Sequence, residues 1–171
     1  MTHQTSDVRM LASLIDSGDG TGVVRVEDVF DTDIDDLWSA VTDPERLRRW
    51  IADVEGDLQQ GGRIRARFTS TWEGSGRIDV CDAPHRILVT WDEGSDDQTV
   101  LEAELTAEGD RTRLVVHDRG LPADALPAHG AGWQAHLEDL GAEVDGRPAG
   151  DWRERWAALS PLYQVLVARR D

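Results

Sequence analysis

The sequence contains no lysine: all 18 of its basic residues are arginine, set against 34 acidic ones, for a formal net charge of −16. That balance argues against nucleic acid and anionic membranes as partners, since phosphate binding depends on basic patches. Arg63, Arg65, Arg67 and Arg77 form a local basic stripe on two adjacent strands, which the surrounding carboxylates turn into a solvated face laced with ion pairs. Cysteine is nearly absent. Cys81 alone rules out an internal disulfide framework and fits a reducing, cytoplasmic setting. No apolar run approaches the ~20 residues of a membrane-spanning helix. Residues 1–20 carry Asp7, Asp16 and Asp19 and show no signal-peptide pattern. Phenylalanine and tyrosine are scarce, two and one, whereas tryptophan occurs seven times. Nearly all the aromatic surface is therefore indole.

A length of 171 residues suits one domain with its own core. Residues 1–22 read as a flexible leader, apart from the pairs Met10-Leu11 and Leu14-Ile15. From Val23 to Phe30 apolar and charged residues alternate, which predicts a first strand. Asp33 or Thr32 caps a helix carrying Ile34, Leu37, Trp38 and Val41 on one face, with Asp35 and Asp36 favouring its dipole. Asp43 and Pro44 open a second short helix that closes at Trp50. After Gly61-Gly62 the period becomes two, with Ile64, Ala66, Phe68 and Trp72 on one face. Gly74 to Gly76 then predicts a hairpin, with Ile78 and Val80 pointing inward on the return strand. Further strands follow over Ile87–Trp91, Thr99–Thr106 and Thr112–Asp118, joined by hairpin-length links that imply an antiparallel meander. Trp133, Leu137, Leu140 and Val144 return to helical spacing. Residues 145–150 break that helix, and Asp151 caps a last one, with Trp152 and Trp156 stapling it down and Pro161 expected to kink it.

Six segments, in this order, resemble one known group: LWSAVT with TDPERLRRW, then GGRIRARF, RILVTW, TVLEAEL, GDRTRLVVHDRGLP and GWQAHLEDL. Together they are similar to the START-like superfamily called SRPBCC, and within it to the C-terminal domain of the ninety-kilodalton heat-shock protein ATPase activator. The likeness covers residues 23–144, leaving 145–171 as a C-terminal helical extension. It implies an α+β helix-grip fold: about six curved antiparallel strands around a long C-terminal helix, with two short helices after the first strand. It also implies a hydrophobic cavity between sheet and helix. Members include lipid and hormone binders and polyketide aromatases or cyclases. Eukaryotic chaperone activators carry a separate N-terminal domain, which a 22-residue leader is not expected to supply.

The residues expected to line such a cavity are mostly tryptophans. An indole offers a flat apolar face for stacking and one N–H to orient a polar group. Trp72, Trp91 and Trp133, with Phe68, Leu105 and Leu137, form the expected wall; Trp38 also faces inward and Trp50 is placed at the mouth. Each also has an ordinary reading as core filling. Asp118 shares the face of Leu114 and Val116, so it is either an inward carboxylate or half of a strand-end ion pair with Arg119. The histidines do not make a metal site: His129 and His136 lie seven residues apart, with no i, i+4 pair and no nearby cysteine. Glu102 and Glu104 share a polar strand face, and Cys81 reads as a small buried hydrophobe. No nucleophile elbow, phosphate loop or dinucleotide fingerprint is present.

The leading expectation is binding of a small hydrophobic or aromatic molecule, with no cofactor and no metal, and no catalytic residue is assigned. The alternatives are a polyketide aromatase- or cyclase-like enzyme, in which Asp118 moves protons, and a chaperone co-factor or interaction module. A homodimer through the Trp-rich C-terminal extension belongs with the last.

Overall fold

A computed structural model describes residues 8–168. Its elements in chain order are β1 (Ala12–Asp16), β2 (Thr21–Phe30), α1 (Ile34–Thr42), α2 (Pro44–Trp50), β3 (Ala52–Gly56), β4 (Arg63–Phe68), β5 (Glu73–Asp82), β6 (Arg86–Trp91), β7 (Thr99–Glu108), β8 (Arg111–Pro122), α3 (Leu126–Val144) and α4 (Trp152–Ala168). All the strands form one antiparallel sheet of eight, in the order β1-β2-β8-β7-β6-β5-β4-β3. The long helix α3 packs over β1 and β2, and α4 packs on α3. No helix of the described residues is long and apolar enough to cross a membrane.

The helix starts follow the sequence closely. Asp33 accepts from the Asp36 N–H at 2.8 Å to cap α1, and Asp43 accepts from the Glu45 N–H at 2.9 Å to cap α2, with Pro44 in the first turn. Asp151 receives the Glu154 N–H at 3.0 Å at the head of α4. Pro161 is accommodated inside that helix.

The sheet departs from expectation in three places. It has eight strands, not about six, because β1 and β3 were each too short and too polar to show a period. β1 lies in the segment expected to be a loose leader. It pairs with β2 from Ala12↔Val26 to Asp16↔Gly22 and buries Ala12 and Leu14. The hairpin expected at Gly74–Gly76 lies earlier, around Thr69–Thr71, where Thr71 takes a left-handed φ of 75°. Gly74 and Gly76 are strand residues, and they are glycine for lack of room. A Cβ on Gly74 would come within 2.3 Å of the Trp72 indole, and one on Gly76 within 2.9 Å of Trp91. Third, the register shifts between Ile78 and Val80. An extra residue in one strand reverses which face the following side chains occupy. Cys81, not Val80, therefore pairs with buried Ile87 and joins the core.

The outward face of the sheet carries ion pairs. Glu102 is almost fully covered there, held by Arg86 at 2.6 Å and Arg119 at 3.1 Å. Burial alone would raise its pKa, but the two guanidinium hydrogen bonds outweigh that and keep it below the usual value. His117 lies 3.9 Å from Glu102 on this same outer face, away from the interior. In the basic stripe Arg67 pairs with Glu73, and Arg77 with Asp79 and Glu93.

Candidate functional site: a tryptophan-walled cleft

The interior of the grip has two ends. One is solid: Leu37, Leu105, Leu114, Leu137 and Leu140 are each at most 2% exposed and fill the space beneath α1. The other, toward the start of α3, opens into a cleft of about 730 Å³. Phe68, Trp72 and Trp91 come from the sheet and the β4–β5 turn, Trp133 and His136 from α3, and Trp152 and Trp156 from α4.

The aromatic rings support one another edge to face. Trp72 stands perpendicular to Trp91 at 5.3 Å, and Phe68 meets both, at 5.3 and 5.8 Å. This is the geometry the ring quadrupoles favour. On the helical side, His136 stacks on Trp152 at 5.1 Å, and Trp152 on Trp156 at 6.0 Å. The two indoles of α4 also staple it to α3: Trp152 Nε1 donates to the Gly132 carbonyl and Trp156 Nε1 to the Ala128 carbonyl. Gly132 allows that approach, since a Cβ there would press on Trp152 at 3.2 Å.

One acid faces this wall. Asp118 follows Leu114 and Val116 on the inner face of β8, paired in register with Leu101. Its Oδ2 accepts from Trp133 Nε1 at 2.9 Å. The ion pair with Arg119 does not form, because Arg119 points to the other face and holds Glu102. Burial pushes the Asp118 carboxyl up to about 6, against the smaller downward pull of the indole N–H. His136 moves the other way. Burial drives its imidazole down to about 3, against a hydrogen bond to the Trp50 main chain, so at neutral pH the ring is uncharged. Its Nδ1 has no hydrogen-bond partner among the described residues.

Of the residues expected to contact a ligand, Phe68, Trp72, Trp91, Asp118 and Trp133 therefore meet in one cleft. Leu105 and Leu137 lie in the solid end instead. Trp38 is half-buried against the core on α1. Trp50 is not at the mouth: it is buried, and its indole donates to the Ala40 carbonyl at 2.9 Å, tying α2 to α1. His136, Trp152 and Trp156 line the cleft without having been expected there. His136 had a signal, being one turn from Trp133 on the same helix. For α4, the signal was the small residues Gly130 and Gly132 that precede Trp133 and admit a second helix. Glu102, Glu104 and His117 bring ligand atoms together on the outer face, but Glu102 already has both oxygens on arginine.

A curved antiparallel sheet closed by a long C-terminal helix, with a cleft between them, defines a helix-grip protein of the START-like SRPBCC superfamily. The chain belongs to the family described as activator of Hsp90 ATPase homolog 1-like protein, whose model matches residues 31–145. Among solved structures it is similar to CalU16 from Micromonospora echinospora, with 26% identity and a TM-score of 0.75 over 91% of this chain and 96% of that one. It is also similar to DynU16, a protein in the dynemicin biosynthetic locus, at 26% identity and a TM-score of 0.68 over 75% of this chain and 50% of that one. A Bordetella parapertussis protein, BPP1335, shares the fold at 22% identity and a TM-score of 0.69, over 83% of this chain and 84% of that one. No curated protein matches the chain.

Proposed function

We propose that the cleft binds a small hydrophobic molecule bearing an aromatic or similarly flat group, non-covalently and without metal or cofactor. The observation that carries this is the convergence of five indoles, Trp72, Trp91, Trp133, Trp152 and Trp156, on about 730 Å³ of open space. Pockets of several hundred Å³ with apolar walls and few polar groups are the usual form of small-molecule sites. Trp50 differs in having no part in the cleft lining, and its indole N–H is spent on the Ala40 carbonyl. The place of DynU16 in a biosynthetic locus supports a small-molecule partner. Native mass spectrometry of protein purified without denaturation tests the reading. A co-purifying small molecule lost in Trp133→Ala supports it; retention of the same molecule by that variant excludes Trp133 from the site.

Asp118 favours a second reading, an aromatase- or cyclase-like enzyme. A carboxyl raised to about 6 beside an aromatic wall exchanges protons close to neutral pH. Turnover of a polyketide-like substrate with a pH–rate inflection near that value, lost in Asp118→Asn, is the discriminating result. The interaction-module reading rests on α4, where Leu162, Val165 and Val167 remain exposed. A concentration-dependent dimer in sedimentation, abolished by Val165→Asp, is its test.

A further inference from the structure

The mouth of the cleft has a charge pattern that an apolar ligand does not require. Asp92 directly follows β6, and Asp96 and Asp97 lie further along the β6–β7 loop; all three border the opening, while Asp118 lies within. Glu73 borders it too, already paired with Arg67 at 3.2 Å. The only guanidinium among the described lining residues is Arg153, on the first turn of α4. Two histidines of α3 complete the titratable set: His129, exposed at the mouth, and buried His136. Between acidic mouth and inner carboxylate lie the indole faces. The electron-rich face of tryptophan is the strongest cation–π partner among side chains.

From the joint placement of this indole wall, the inner Asp118 carboxylate and the acidic mouth, we propose that the cleft selects a hydrophobic molecule carrying a protonated amine. This rests on the small-molecule reading above and names its ligand class. The ammonium sits against indole faces, with Asp118 as counter-ion, and the hydrophobic body fills the remaining cleft. Protonated nitrogen suits this site for a second reason. The wall offers an acceptor in need of donors: the Asp118 carboxylate, satisfied by one indole N–H. An ammonium supplies those donors and a hydrocarbon supplies none. The aspartates at the mouth raise the local concentration of cations before entry, an effect that salt screens.

Three naphthalene probes of similar shape test this by isothermal titration calorimetry on the full chain: 1-naphthylmethylamine, 1-naphthylmethanol and 1-naphthoate. The amine is expected to bind about tenfold or more tightly than the alcohol at pH ~7.5, and the carboxylate most weakly. Asp118→Asn is expected to bring amine and alcohol together. In the wild type the amine's advantage should shrink toward pH ~5 as Asp118 takes up its proton, without needing any variant to fold. Equal binding of the three probes, or preference for the carboxylate, overturns the amine inference while leaving small-molecule binding intact. Failure of all three to bind, together with no co-purifying molecule, removes both.

Discussion

Trp133 on α3 and Asp118 on β8 are joined by a 2.9 Å hydrogen bond that crosses from the gripping helix to the sheet beside the cleft. The bond does two things. It ties the helix to the sheet where packing is least complete, and among the described residues it is the only hydrogen bond that offsets the cost of burying that carboxylate. Replacing the indole by a ring without N–H removes this support. In Trp133→Phe the Asp118 pKa should rise above its value of about 6. Carboxyl-carbon NMR titration reads this directly, and an unchanged or lowered value would refute the role given to the indole.

The same burial makes Asp118 a cost to stability near neutral pH. Its folded pKa, about 6, lies above the ordinary 3.8. A raised carboxyl pKa means the folded state resists ionisation more than the unfolded chain does. The penalty is therefore complete above pH ~6, fades as pH falls through that value, and is gone below pH ~4. Asp118→Asn keeps an acceptor for Trp133 and removes the charge. It should stabilise the protein by ~2 kcal/mol at pH 8, discounted for the part of Asp118 open to the cleft, and by little at pH 4. Urea unfolding of both proteins across that range is the measurement. A difference constant with pH would show that the charge carries no such cost.

Much of this arrangement could be read from residue order. Caps at Asp43 and Asp151 are local chemistry, so sequence alone identified them, while it left the α1 cap open between Thr32 and Asp33, the residue that takes it. Alternation along β8 put Asp118 on the face of Leu114 and Val116, but left an ion pair with Arg119 as an equal reading. What escaped was non-local. β1 exists because β2 offers it an edge, not because ASLID has any strand period of its own. The bulge before Val80 reverses a face without a sequence mark. Gly74 and Gly76 have the spelling of a turn, and only the indoles lying on them reveal why those positions are bare. The ligand wall was half legible for the same reason. Strand and helix periods show which side chains point inward, but not where the interior is filled by Leu105 and Leu137 and where it stays open.

The glycine floor yields a contrast between two neighbouring substitutions. In Gly76→Ala the new methyl meets Trp91 and Val89, each at 2.9 Å and both buried, so the core itself must shift. Overpacking of that kind costs ~1–3 kcal/mol. In Gly74→Ala the methyl meets only the far end of the Trp72 ring, which is 40% exposed and has solvent to move into. Stability should change little there, while the position of Trp72 in the cleft changes. Thermal unfolding separates the two, with Gly76→Ala clearly the less stable. Equal losses would mean that Trp72 is held as firmly as Trp91.

The final prediction concerns how α4 holds the edge of the sheet. Tyr163 is fully buried, and its hydroxyl accepts the Ala12 N–H of β1 at 3.0 Å while donating to Gln134 of α3. Gln134 in turn accepts the Leu11 N–H at 3.1 Å and donates to the Arg9 carbonyl at 2.9 Å. The segment before β2 is thus held by its ladder on one side and by this tyrosine–glutamine pair on the other. Tyr163→Phe preserves the ring and leaves the Ala12 N–H buried without an acceptor, which costs ~1–3 kcal/mol. Because the lost bond belongs to an edge strand, the effect should be local before it is global. Hydrogen exchange at Ala12 and its neighbours in β1 should speed up well before exchange in β7 or β8. Uniform acceleration across the sheet would instead show that β1 opens only with the whole domain.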